Sequence, residues 1–208
     1  RTTPTLEGHD WEEIFADCIG AEWKPSNVGL DDIVLDNCDW GAKTVKAVNP
    51  STQKNVRLIS GRNSPVYSFG EKQISDVDAN HLGKLVLEIW NERVSAIKKH
   101  NKFLRTIVLV KSNDLDELVL FEFDTIRYDA DDFDWQWNTR NNMQGFDKKT
   151  KEHKFTWQPH GSQFTIVEAI PEDALIIRIR KPEKINKETV LKNIGFSENW
   201  VTVVKKNG

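Results

Sequence analysis

The sequence predicts an α/β protein in which a central mixed sheet carries helices on its faces, with a β-rich insert. Three observations predict it. As far as Tyr128 the pattern runs helix, strands, helix, strands. The segment "DANHLGKLVLEIWNERVSAIKKH" (78–100) has apolar residues at 82, 85, 86, 89, 90, 94 and 97, one continuous helical stripe. Residues 129–170 then turn rich in Trp, Asn, Gln, Arg and Lys, which marks the insert.

The elements follow in order. "HDWEEIFADCIGAEW" reads as a helix: Trp11, Ile14, Phe15, Cys18 and Ile19 recur at helical spacing, and Gly20 lies where a helix would end. "SNVG" (26–29) is a turn, "DDIVLDN" a strand, "NCDW" a tight turn and "WGAKTVKAV" a second strand. "NPSTQKN" is a loop, "VRLIS" a short strand and "GRNSP" (61–65) another turn. The long helix leads to the strands "FLRTIVLVKS" and "ELVLFEFDTIRY". The insert contains a hairpin from "FDWQWN" to "KFTWQP". "ALIIRIRKP" is a late strand and "KETVLKNIGF" a short helix.

Composition narrows the class. The chain has 208 residues, enough for one large domain with a real core, and 129–170 reads as an insert within it. Hydrophobic residues are 38% and charged residues 29%, as in a soluble globular protein. The longest apolar runs, "TIVLV" and "LVLFEF", are far too short to cross a bilayer, so no membrane partner is expected. The chain begins at Arg1 and shows no charged start, apolar run and small-residue cleavage site, which argues against a retained signal peptide. Two cysteines outside any CxxC argue against a structural zinc or a disulfide framework, and point to a reducing cytoplasm. A net charge of −3 argues against indiscriminate coating of nucleic acid, but not against a site-specific DNA protein.

The stretch "GLDDIVLDNCDWGAKTVKA" (29–47) carries the chemistry. Acids and lysines sit here on what reads as a hairpin, which is ordinarily a solvated sheet face. If Asp32 opens the first strand, its carboxylate can face the second, which bears Lys43 and Lys46. A carboxylate binds Mg²⁺ through oxygen. A lysine can orient a water or stabilise charge on a phosphate. Lys43 and Lys46 lie on opposite faces of a strand, so at most one meets the carboxylate. On the first helix Glu12 lies beside the buried stripe, and Glu13 points nearly opposite and is solvated.

The order of a helix with Glu, then "GLDDIVL", then a strand with "AKTVK" resembles the PD-(D/E)xK nuclease superfamily, and within it type II restriction endonucleases. "WGAKTVKA", "RLISGRNSP" and "FTWQPHGSQFTI" add to the resemblance. It implies the fold of those nucleases, a metal-binding Asp32, a catalytic Lys43 or Lys46, and Glu12 as a further catalytic and metal-binding acid. It implies Mg²⁺ as cofactor, double-stranded DNA as substrate, 5′-phosphate ends, a homodimer matching a two-fold target, and a prokaryotic cytoplasmic setting. The chain departs from the pattern: no proline precedes Asp31 or Asp32, and Gly41 and Thr44 stand two residues before the lysines, where the family places an acid. Glu12 or Glu88 would then supply that acid. The departure keeps open a DNA-binding protein with an inactive nuclease fold, beside a repair or modification-dependent nuclease.

For recognition, Arg62 and Asn63 in "GRNSP" suit DNA, since Arg pairs with guanine and Asn with adenine, although Gly, Asn and Pro are also natural turn residues. Arg140, Asn141 and Asn142 in "WQWNTRNNMQG" are further contact candidates, while Trp135 and Trp137 share a face and favour packing. Gln158 and His160 in "WQPHGSQ" join the DNA-binding set. A lone histidine in a Pro-Gly turn is ordinarily structural, and the other four histidines form no zinc spacing with it. "KKTKEHK" (148–154) is a solvated, charged hairpin tip.

Overall fold

The computed structural model describes residues 5–24, 30–70, 77–180 and 185–200. Two sheets and a long helix form the body. The first sheet is mixed and six-stranded: β1 (Glu22–Trp23), β2 (Ile33–Leu35), β3 (Cys38–Lys46), β5 (Phe103–Lys111), β6 (Glu117–Asp124) and β11 (Leu175–Arg178), in that spatial order. β3 and β5 are its parallel pair, joined by a crossover that contains α3 (Ala79–Lys98). The second sheet is antiparallel and five-stranded: β4 (Asn55–Arg62), β10 (Gln163–Ala169), β9 (His153–Gln158), β8 (Met143–Asp147) and β7 (Phe133–Trp137). The protein is therefore α/β, with helices flanking a mixed sheet. No helix among the described residues is long and apolar enough to cross a membrane.

Local chemistry explains the ends of the elements. α1 (Gly8–Ile19) starts with a capping box, in which the Glu7 amide donates to Asp10 Oδ2 at 2.6 Å. It stops at Gly20, whose left-handed backbone lets its amide reach the carbonyls of Ala16 and Asp17. Asp78 caps α3 by accepting from the amides of Asn80 and His81.

Several expectations need correction. In α1, Ile14 and Cys18 are exposed, and Ala16 is buried in their place because the helix meets the sheet through Trp11 and Ala16. The first hairpin turns at Asp36 and Asn37, with Leu35 opposite Cys38, so Cys38 to Trp40 belong to β3. "GRNSP" is not one turn: β4 runs on through Arg62, and Pro65 opens a short helix, α2 (Pro65–Phe69). The expected hairpin between β7 and β9 is a three-strand meander with β8 in the middle. The expected turn at 26–29 lies outside the described residues.

Residues 129–170 do not form a separate lobe. Their four strands recruit β4 as a fifth and share one core with α3. Leu82, Val86, Trp90 and Val94 of α3 pack there with Phe133, Trp135, Phe155, Trp157 and Phe164. The closest approach is at Gly83, where an added Cβ would stand 2.3 Å from Trp135 Cγ. Trp135 is held on its other side by Phe155, stacked at 5.7 Å and 9°. A second cluster joins α1 to the mixed sheet, and a third joins the two sheets through Val56, Leu58, Val108 and Phe121. α4 (Lys187–Asn193) lies near the end of the chain and has no buried residue.

Candidate functional site

Side-chain alternation sorts the hairpin. Ile33 and Ala42 pack with Trp11 and Ala16 on the α1 side of the sheet. Their neighbours Asp32 and Lys43 therefore turn to the opposite side. Asp32 is 2% exposed, and its carbonyl accepts from the Lys24 amide at 2.7 Å, which ties β1 to the start of β2. Lys43 is largely buried. Burial is the main cause that lowers its pKa; the charges of Asp32 and Glu12 pull it back up, and Arg93 pushes it further down. Two carboxylates and a guanidinium are thus near enough for their charges to act on Lys43. Lys46 falls on the other face by the same alternation, is exposed, and pairs in register with Lys111. The fold thus brings Lys43, and not Lys46, to Asp32.

Glu12 is half-buried, and its Oε2 accepts from Trp23 Nε1 at 3.3 Å. Trp23 stands opposite Ile33, the residue after Asp32, so its hydrogen bond fixes Glu12 at the β1–β2 edge. Glu13 is exposed. The charges acting on Lys43 do not include Glu88 of α3. Gly41, where an acid would precede Lys43, is buried beside Thr106 of β5.

Arg93 is the member that sequence reasoning missed. Its Nη1 donates to the Ser60 carbonyl at 2.7 Å and lies 3.5 Å from Asn63 Oδ1. The guanidinium fills the space over Gly61, where a Cβ would stand 2.5 Å from Nη1, and Gly61 has a φ of 112°. A signal was present: Arg93 continues the Val86–Trp90 row of the buried stripe toward Ile97. Asn63, expected at DNA, is fully buried. Its Nδ2 donates to the Val86 carbonyl at 2.9 Å, and its own carbonyl accepts from Trp157 Nε1 at 2.7 Å. The side chain is committed to the core because β4 ends against α3.

The remaining recognition candidates gather at one end of the antiparallel sheet. Arg62 stands opposite Gln163, which stands opposite Gln158. Met143 stands opposite Trp157, so the neighbouring 138–142 turn, with Arg140, Asn141 and Asn142, reaches the same rim. His160 is exposed in the adjoining turn, and the Asn63 amide donates to the Ser162 carbonyl at 2.8 Å. In the 138–142 turn, Asn138 Oδ1 accepts from the amides of Arg140 and Asn142. Arg62, Arg140 and Asn141 are exposed, while Asn142 and Gln158 are half-buried. Gln163 is a rim residue not singled out from sequence. Ser60 and Asn63 connect this rim to Arg93, whose charge also acts on Lys43.

Trp135 is buried and Trp137 is 37% exposed at the strand end. His153, in the supposed solvated tip, is half-buried instead, with Nε2 2.7 Å from the Phe155 carbonyl and 3.0 Å from Thr156 Oγ1. Burial lowers its pKa.

Asp32 and Glu12 are the carboxylates whose charges act on Lys43, and they could supply oxygen ligands. Among the described residues no three His, Cys, Asp or Glu side chains come together as metal ligands. A pair of carboxylates nevertheless fits Mg²⁺, which keeps several waters and takes one or two carboxylates plus phosphate oxygens. Compared with protein-family models, curated proteins and solved structures, the chain matches none.

Proposed function

We propose that the protein is a Mg²⁺-dependent, sequence-specific endonuclease for double-stranded DNA, with a fold of the PD-(D/E)xK type, acting as a type II restriction enzyme in a prokaryotic cytoplasm. One observation carries the reading: a buried Asp32 and a largely buried Lys43 share one face of adjacent strands, with Glu12 and Arg93 close enough to act on the lysine. Burying a lysine beside acids is costly and is a common mark of a working site.

Asp32 and Glu12 would hold the ion. When bound it would polarise the phosphate and make a water a better nucleophile. The residues do the rest. Lys43 points its ammonium at the water and the phosphate oxygens. The water oxygen bonds to phosphorus and the P–O3′ bond breaks. One water proton leaves to solvent, and O3′ takes up a proton from solvent. The products are a 5′-phosphate and a 3′-hydroxyl. Arg62 and Arg140 grip phosphates or guanine edges, and the polar rim reads bases. A homodimer would match a two-fold target.

The second reading is a DNA-binding protein that does not cut. The buried Gly41 at the acid's place favours it. Phage DNA incubated with the protein in Mg²⁺ and in EDTA at low salt decides between them. Discrete bands that need Mg²⁺ and vanish in Asp32→Asn support the nuclease. Intact DNA with a gel shift supports binding alone. Intact DNA without a shift overturns both.

A further inference from the structure

β11 closes one edge of the mixed sheet. It pairs with β6 on one side, and among the described residues no strand lies on its other side. All four of its residues are exposed, and its apolar ones are large: Leu175 56%, Ile176 47% and Ile177 37%, followed by Ile179 at 45%. A flat apolar edge is a template for another strand, and proteins ordinarily guard it. β7, an edge of the other sheet, is guarded by Asp134 with Lys148 and Lys151.

The ladder shows which groups point outward. Ile179 donates its amide to the Asp116 carbonyl at 2.9 Å, continuing the register in which Ile177 faces Leu118. In an antiparallel pair, hydrogen-bonded positions alternate. Leu175, Ile177 and Ile179 therefore turn their amides and carbonyls to β6, and Ile176 and Arg178 turn theirs outward. Charge adds a direction. Glu172 and Asp173 stand at the strand's entry, Arg178 and Arg180 at its exit. Such a strand is complementary to itself reversed.

We propose that β11 is a self-association edge, through which two copies of this chain join their mixed sheets by antiparallel pairing about a two-fold axis. A register centred on Ile176 makes both bonds between the two Ile176 residues. It also lets each Arg178 amide donate to the Ala174 carbonyl of the second copy. The Ala174 amide is already given to the Pro171 carbonyl at 3.1 Å, so its carbonyl is the group it offers. The acidic entry of each strand then lies by the basic exit of the other. A single strand pair is at the small end of stable interfaces, so association is concentration-dependent in the micromolar range. The proposal does not depend on the nuclease reading and is measured without DNA.

Sedimentation velocity of the full chain across the micromolar range is the test. Wild type shifts from monomer to dimer. Ile176→Pro deletes an outward amide and leaves the β6 pairing intact, because an edge strand tolerates proline there. It weakens the dimer by about tenfold or more, with an unchanged circular dichroism spectrum. Glu172→Arg and Arg180→Glu each weaken the dimer, and the two together restore it. A wild type that stays monomeric throughout overturns the proposal. So does a dimer that Ile176→Pro and the charge variants leave unchanged.

Discussion

Lys43 and Lys46 lie three residues apart on β3, and alternation alone separates their surroundings. If Lys43 serves the reaction, Lys43→Met lowers the cleavage rate by on the order of 10²–10³, while Lys46→Met stays near wild type; single-turnover rates on one labelled duplex check this. Stability moves the other way. The folded pKa of Lys43 is depressed, mainly by burial. Its charge therefore opposes folding fully at low pH, and the penalty fades as pH rises from the folded pKa toward 10.5. Lys43→Met removes that penalty, so a loss of activity without loss of fold is the expected signature. His153 gives the pH dependence at neutrality. Its folded pKa lies below 6.5 because burial disfavours the imidazolium. Its contribution is complete above 6.5 and is lost as pH falls through the folded pKa. Urea midpoints at pH 7.5 and at pH 5, compared with His153→Gln, read this: the drop is smaller in the variant.

At the scale of elements, the contact of α3 with β7 is set by one missing side chain. Gly83→Ala improves helix propensity by about 1 kcal/mol. The added methyl, however, meets Trp135 at 2.3 Å, and Trp135 is backed by Phe155. Forcing atoms into such a core costs about 1–3 kcal/mol. The clash outweighs the propensity, because the obstacle is a ring pinned on both sides rather than a flexible chain. A lower thermal midpoint with altered tryptophan fluorescence is expected, and a raised midpoint would contradict this packing account. The α3 stripe itself was legible, because a 3.6-residue period survives in sequence. The partner of β7 was not: "FDWQWN" and "KFTWQP" alternate equally well as direct neighbours, and "MQGFD" is too short and too polar to announce β8.

At the scale of the whole molecule, a net charge of −3 conceals a local rim with Arg62 and Arg140. If the rim grips DNA, affinity falls with salt, and each phosphate contact contributes about 0.9 to the slope of log K against log salt. Replacing both arginines by alanine lowers that slope by about 2, as measured by fluorescence anisotropy on one duplex over a salt series. An unchanged slope would remove the rim from the DNA path.

The sequence by itself determined the α/β class, the long helix, the main strands, and the pairing of an acid-bearing strand with a lysine-bearing one. Each of these is written in local periodicity, which neighbouring residues impose on one another. Tertiary structure alone decided that Lys43 rather than Lys46 meets Asp32, because the face of a strand has meaning only once α1 covers one side. It also turned Asn63 inward, brought the charge of Arg93 to bear on Lys43, and paired the strands of 129–170 with β4. Those outcomes depend on contacts between residues distant in the chain, such as Asn63 with Arg93 and Arg57 with Thr156, at separations of 30 and 99 residues. No local pattern carries them, because burial is a property of where elements pack and not of the order in which residues occur.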